Sequence, residues 1–484
     1  MALRRYSNQG EMWGPSPDLL LSAGHLARAI DELIEKMGLG RLNRKYQHTP
    51  GEPAYDVRVL VKVLIYAYAR GITSSREMAR QCEENIAFRY LTRGQCPDFR
   101  TISLFRRRKR HLLRWVFKKT IQLARQMGMA QLGLVALDSV KLGANANAGK
   151  KMTAEELRRQ LQGLDEHLRR TEASDKKEDA QYGSEQRGDE LPAELHSVQR
   201  RREKLQRALE ILEKDSSSAR AGAARKDVSP ADPEAVWVKK NGRVVRGYSA
   251  QVVADSDHQI IVGMKATAQC TDSEHLNPMV REVEARTGKP AEQLVADSGY
   301  YTDDAVLEAA QGDTDCFVPD SDTAANLNNP KRSETLSPYH WSRFEYDEEK
   351  DEFICPAGKR LPFYGDHYRR TPTKIYRGLD CQDCPARQQC TEHASGFRSI
   401  QMRPDHAKIR KIRQKLKAEA GKILYKKRKA IIEPIFGRWQ HNWGVRRLRL
   451  CGLSGFSIEV HLLAIAHNLT KLWRLQPTIA NAGT

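Results

Sequence analysis

Leu134-Val-Ala-Leu-Asp-Ser-Val140 and Gln293-Leu-Val-Ala-Asp-Ser-Gly299 are one device written twice: a short apolar run that ends on an aspartate. Runs of this length and aliphatic content suit strands buried on both faces. Between them, Arg243 to Asp255 and Gln259 to Thr267 are β-rich and separated by Asp255-Ser-Asp257, the pattern of a hairpin. Leu276 to Arg286 and Asp303 to Gln311 read as helices, and Asp315 to Pro319 as a further short strand. This alternation predicts an α/β layer fold, helices lying on a mixed sheet.

Upstream, residues 1–130 read as helical. Val57, Leu60, Val61, Leu64, Ile65 and Tyr68 recur at helical steps between Asp56 and Arg70, with Gly71 as the stop. Short helices at Ser75–Cys82 and Asn85–Leu91 precede a long one, capped by Asp98 or Thr101 and running towards Met127. The order suits a DNA-reading helical module or a plain bundle with a basic exterior. Residues 131–150 hold the first core strand, and 228–320 continue the core. In 151–227, Leu157, Leu161, Leu164 and Leu168, then Leu195, Val198, Leu205, Leu209 and Leu212, follow steps of three and four, with Arg202 filling one slot, around a polar stretch at 171–190. That predicts an inserted helical hairpin, a spacer or oligomerisation arm. Residues 321–404 are polar and turn-rich, and 405–484 form basic helices closing with an apolar one, Ile458 to Leu475.

The 484 residues carry 81 Lys and Arg against 61 Asp and Glu, a net charge of +20. The excess sits in two runs: ten cations and no acid from Phe99 to Arg125, and fifteen against two from Ala407 to Leu450. Aromatic residues are interleaved, so nucleic acid is the expected partner rather than a merely solvated face. The expected contacts are Arg106, Arg107, Arg108, Lys109 and Arg110 in the first run. In the second they are Tyr425, Arg428, Lys429, Trp439, Arg446 and Arg447. No apolar run approaches the roughly 18 residues of a membrane span, and no apolar signal core follows Met-Ala-Leu-Arg-Arg-Tyr6. A cytoplasmic protein is expected. Nine cysteines are too few for a disulfide scaffold.

Asp138 and Asp297 each close an apolar strand, where a carboxylate is costly unless its charge is compensated. Mg²⁺ suits such hard oxygen ligands and leaves positions open for phosphate. A third acid is available in Glu433, expected to be buried among Ile431, Ile432, Ile435 and Phe436 and to sit at a kink or helix start before Pro434. It could equally neutralise its basic neighbours. Cys355, Cys381, Cys384 and Cys390, with His393 nearby, suit tetrahedral zinc; buried unligated thiols are the plain alternative.

With Leu-Asp138-Ser, Ala-Asp297-Ser-Gly-Tyr-Tyr and Tyr425-Lys-Lys-Arg-Lys-Ala-Ile-Ile-Glu-Pro-Ile-Phe-Gly437, the chain resembles bacterial insertion-sequence transposases of the DDE type. Asp98-Phe-Arg-Thr-Ile-Ser103, Arg246-Gly-Tyr-Ser-Ala-Gln251 and Asn468-Leu-Thr-Lys471 resemble that family too. The branch with a Tyr-Arg-Glu-Lys signature places three residues between Arg and Glu. Here four separate Arg428 from Glu433, and Gln440 stands where Lys is expected. The resemblance implies an RNase H-like mixed sheet with flanking helices, a helical N-terminal DNA-binding domain, and inserted hairpin and cysteine-containing modules. It implies two Mg²⁺ ions, replaceable by Mn²⁺, on Asp138, Asp297 and Glu433, and a structural role for a Zn²⁺ on the cysteines. The implied activity is cutting the element's own ends and joining them to target DNA, as a homodimer near the nucleoid. An RNase H-like nuclease without strand transfer and a non-catalytic DNA-binding protein are the rivals.

Overall fold

The computed structural model describes residues 16–46, 54–146, 151–182, 193–218, 225–240, 242–329, 337–368, 372–391 and 395–482. Two compact units divide the chain: 1–272, 279–290 and 430–484 in the first, and 273–278 and 291–429 in the second.

In the first unit, α1 (Leu26–Lys36) precedes α2 (Val57–Ala69), of whose thirteen residues eleven are buried. Asp56 caps α2 by accepting from Arg58 N–H at 2.7 Å. Gly71 ends it at φ +74°, where a Cβ would collide with the Trp443 carbonyl, so only glycine fits. Helices α3 (Ser75–Glu84) and α4 (Ile86–Thr92) follow as the sequence predicts. The single long helix expected next is two, α5 (Phe99–Arg108) and α6 (Arg110–Gln126), parted at Lys109. The break falls inside five consecutive cations, whose repulsion on neighbouring turns disfavours an unbroken helix.

The sheet of this unit is centred on β3 (Arg243–Asp255). Strand β1 (Leu134–Gly143) runs antiparallel along one edge. Strands β4 (Ile261–Thr267) and β2 (Val236–Lys240) follow one another along the other edge. Helix α14 (Gly452–Ala482) packs against α2, α6 and β4. Its Asn468 replaces a missing strand neighbour: Oδ1 accepts from Ile261 N–H at 2.8 Å, and Nδ2 donates to the Ile261 carbonyl at 2.9 Å.

The inserted hairpin is α7 (Ala154–Tyr182) and α8 (Ala193–Ser218). Helix α7 continues well into the stretch expected as linker, because 171–182 is rich in Glu, Lys and Ala, which favour helix despite their polarity. Leu157, Leu205, Ala208, Leu212 and Val228 form a small core of the hairpin's own. Residues 183–190 and the side chains of Leu168 and Leu195 lie outside the described part.

Helix α9 (Leu276–Thr287) spans a boundary between the units. In the second unit β5 (Gln293–Ala296) pairs in parallel with β6 (Asp315–Phe317), with α10 (Asp303–Ala309) between them and α11 (Ser321–Asn328) after. The region read as turns then holds a five-stranded antiparallel sheet: β7 (Glu345–Asp347), β8 (Glu352–Ile354), β9 (Arg360–Tyr368), β10 (Pro372–Arg377) and β11 (Ser399–Met402). Its strands are short, and among the described residues its buried hydrophobic cluster is Phe344, Phe353, Leu361, Tyr376 and Met402, too scattered to show as a pattern in sequence. Basic helix α12 (His406–Lys417) follows, and α13 (Glu419–Gly437) runs from the second unit into the first. Mixed α/β architecture is what the chain adopts. Among the described residues no helix is long and apolar enough to cross a membrane.

Candidate functional site

Strand β1 is buried from Leu134 to Leu137 and surfaces at Asp138, where it is half-buried. Asp138 lies opposite Val252 of β3, and its Oδ1 accepts from Ser139 N–H at 2.7 Å. Side chains alternate across a strand, so Ser139 and Lys141 emerge on the opposite face. There the Asp272 carboxylate gathers Ser139 Oγ at 3.0 Å, Lys141 Nζ at 2.9 Å and the buried Gln251 Nε2 at 2.7 Å. This network fixes the backbone beside Asp138. Sequence reading missed Asp272 and Lys141; the one available signal was Gln251, which lies directly across from Ser139.

The rest of Arg246-Gly-Tyr-Ser-Ala-Gln251 is structural as well. Arg246 is buried over the Trp237 ring and pairs with Asp227; burial lowers its pKa to about 10. Tyr248 donates to Asp232, whose carboxyl is raised by burial, against that hydrogen bond.

Asp297 follows β5 at once and is half-buried, its Oδ1 capping the turn at Gly299 N–H (2.9 Å). It belongs to the second unit, and Asp138 and Glu433 to the first. Glu433 departs from expectation. It is exposed while Ile431, Ile432 and Ile435 are buried. It also stands inside α13, which continues through Pro434 to Gly437 and into a π-helical turn, Arg438–Asn442. The helical stripe turns the isoleucines inward and the carboxylate out. Among the described residues, neither Asp297 nor Glu433 makes an ion pair.

Half-buried Cys355, Cys381, Cys384 and Cys390 form no disulfide among the described residues. Cys355 Sγ accepts from Lys359 N–H at 3.3 Å. Burial raises the Cys390 thiol, opposed by Arg398 and assisted by the other three cysteines. His393 lies outside the described residues. Among the described residues no three His, Cys, Asp or Glu side chains close into a group that could hold a metal.

Four of the expected DNA contacts face inward. Arg106 is buried on Glu459, Tyr68, Ser75 and the Thr73 carbonyl. Trp439 is wholly buried. Arg428 and Tyr425 are buried, the guanidinium 5.9 Å from the ring centre. A basic run amphipathic in shape turns some cations inward, and composition alone does not say which. Arg107, Arg108, Arg110, Lys429, Arg446 and Arg447 are exposed and Lys109 is partly so. Arg447 nevertheless donates to the Ala144 and Ala146 carbonyls.

Residues 354–473 match the family described as Transposase DDE domain, and 16–108 match Transposase domain (DUF772). Both ends of the chain thus match transposase family models, the C-terminal one a DDE domain. Glu433 falls inside the first match, and α2 to α5 inside the second. No curated protein matches the chain. Among solved structures it is similar to the piggyBac transposase synaptic complex with hairpin DNA, at 10% identity over 96% of this chain and 76% of that one. The TM-score is 0.34, too low to support an argument.

Proposed function

We propose that this transposase cuts the ends of its own element and joins them to target DNA, using Asp138, Asp297 and Glu433. The observation that carries the reading is Glu433. An exposed carboxylate in a run of fifteen cations and two acids makes no ion pair among the described residues. Neutralising neighbours is therefore not its task. Asp297 likewise makes no ion pair among the described residues, and Asp138 comes to the surface where the buried run Leu134–Leu137 ends, beside a fixed Ser139.

Three such carboxylates are the hard oxygen donors that Mg²⁺ or Mn²⁺ takes, and Mg²⁺ needs few protein ligands. Asp138, Asp297 and Glu433 would hold the divalent ions, which would supply activation of the nucleophile and stabilisation of the leaving 3′ oxygen. The chain's own part is to present three carboxylates, fix β1 beside Asp138 through Asp272, and draw the phosphate backbone to Arg107, Arg108, Arg110 and Lys429. Double-stranded DNA is the partner, bound by a homodimer. The four cysteines take no part in this chemistry; their reading as a structural Zn²⁺ site rests on soft donors and the N–H bond to Cys355 Sγ.

The test is DNA cleavage and strand transfer with Asp138→Asn, Asp297→Asn and Glu433→Gln. Each is expected to lose both steps and keep DNA binding. Wild-type cutting by any of them removes that residue from the site, and cutting without joining of pre-cleaved ends favours the nuclease.

A further inference from the structure

The inserted hairpin stands on a cleft of about 730 Å³ between the roots of α7 and α8. Lys151, Arg159, Arg201 and Lys204 ring it against a single acid, Glu156. Glu156 is already engaged, accepting from Thr153 N–H at 2.8 Å. Arg159 and Lys204 make no ion pair among the described residues, and Lys151 makes only a long one to Asp227, at 3.9 Å. The floor includes Met152 and Leu205, and it is rigid: Met152 and Val228 exchange backbone hydrogen bonds at 2.9 and 3.0 Å over the hairpin's small core.

One polar atom in the cleft wall is not satisfied. Ser229 is 1% exposed, and its Oγ has no hydrogen-bond partner among the described residues. A buried hydroxyl without a partner is costly, and here it lines a space ringed by cations. The helices carrying those cations are otherwise balanced in charge, seventeen Lys and Arg against seventeen Asp and Glu over 151–227. Their excess at the root is therefore local, not a reflection of a basic arm.

We infer that this cleft binds the phosphate backbone of DNA, with Lys151, Arg159, Arg201 and Lys204 on the phosphates and the Ser229 hydroxyl donating to a phosphate oxygen. DNA is favoured over an acidic peptide because the chain already carries transposase domains at both ends. The inference rests on the transposase reading but not on the three acids. It makes the insertion a DNA grip, where the sequence suggests a spacer or an oligomerisation arm.

The experiment measures binding of a short duplex by the full-length protein across a salt series. Arg201→Ala with Lys204→Ala should weaken binding about tenfold and flatten the salt slope by about two, since each phosphate contact contributes about 0.9 to that slope. Arg158→Ala with Arg202→Ala removes the same charge from the same helices. Those arginines pair with Glu213 and Asp165, so the slope should be unchanged. Ser229→Ala, which leaves charge intact, should weaken binding severalfold with the slope kept. Inorganic pyrophosphate should compete in the parent and not in the Arg201/Lys204 variant if the groove takes any phosphate; no competition there means extended DNA backbone is required. Equal slopes for both double variants, or an Arg201/Lys204 variant that loses binding to polyglutamate but not to DNA, would overturn the inference. Catalytic failure of Asp138→Asn leaves these readings untouched.

Discussion

Arg106 and Glu459, 353 residues apart, form an ion pair at 3.5 Å with side chains 4% and 0% exposed. Glu459 also accepts from Tyr68 O–H at 2.6 Å and from Arg449 and Leu450 N–H at 2.7 and 2.9 Å. One carboxylate thus joins α2, α5, the loop before α14 and α14 itself.

Breaking such a pair from one side leaves a buried charge. Arg106→Ala or Glu459→Gln is expected to cost about 3–5 kcal/mol, read as a lower denaturant midpoint. In contrast, Arg107→Ala with Arg108→Ala should leave the midpoint nearly unchanged and flatten the salt dependence of DNA binding. The reverse assignment of effects would mean that Arg106 is a DNA contact after all.

Asn468 pairs with both backbone groups of Ile261 and also donates to Thr120 Oγ1 at 3.2 Å. Asn468→Leu keeps the volume but orphans a buried N–H and C=O. The expected loss is about 2–5 kcal/mol, checked by chemical denaturation, with hydrogen exchange accelerated first at β4.

His461 and His467 are buried and held at a pKa of about 3 chiefly by desolvation, nearby arginines adding to it. Each donates a ring N–H to a carbonyl, of Ser457 and Gln259 respectively. The folded state binds fewer protons than the unfolded one, whose histidines titrate near 6.5. Their contribution is complete above that value and falls as pH drops through the window towards 3, by about 1.4 kcal/mol per pH unit for each histidine. Stability measured between roughly pH 6.5 and 5 should fall steeply, and His467→Gln should flatten that slope by half.

If Cys355, Cys381, Cys384 and Cys390 hold zinc, the purified protein should contain one ion per chain, lost in Cys381→Ser with Cys384→Ser. Chelation should then loosen the small sheet around Tyr376 without unfolding β3. A metal-free protein with unchanged stability would leave these as plain half-buried thiols.

Much of the core was legible because its signals are local. Leu134–Leu137, Leu294–Ala296 and the α2 stripe are dense enough in aliphatic residues to declare strand or helix unaided. The small sheet of 345–402 was not, since its strands are short and its buried cluster is drawn from distant positions. At the site, Asp297 follows the end of β5 as expected, whereas Asp138, expected to close its strand, lies in the middle of β1, because the polar residues after it go on pairing with β3. Glu433 is exposed although its apolar neighbours suggest burial, because the helix turns the isoleucines inward and the carboxylate out, and Pro434 suggests a break that α13 does not make. Which cations of a basic run face inward depends on neighbours such as Glu459 that only folding brings near.

The clasp between Met152 and Val228 has an evolutionary corollary. With its two feet tied together, everything beyond them hangs from the rest of the molecule as a self-contained appendage. Its length and outer sequence can drift, or be replaced outright, while β1 and β3 keep their register. Diversity among such enzymes should accumulate in arms of this kind long before it reaches the chemistry.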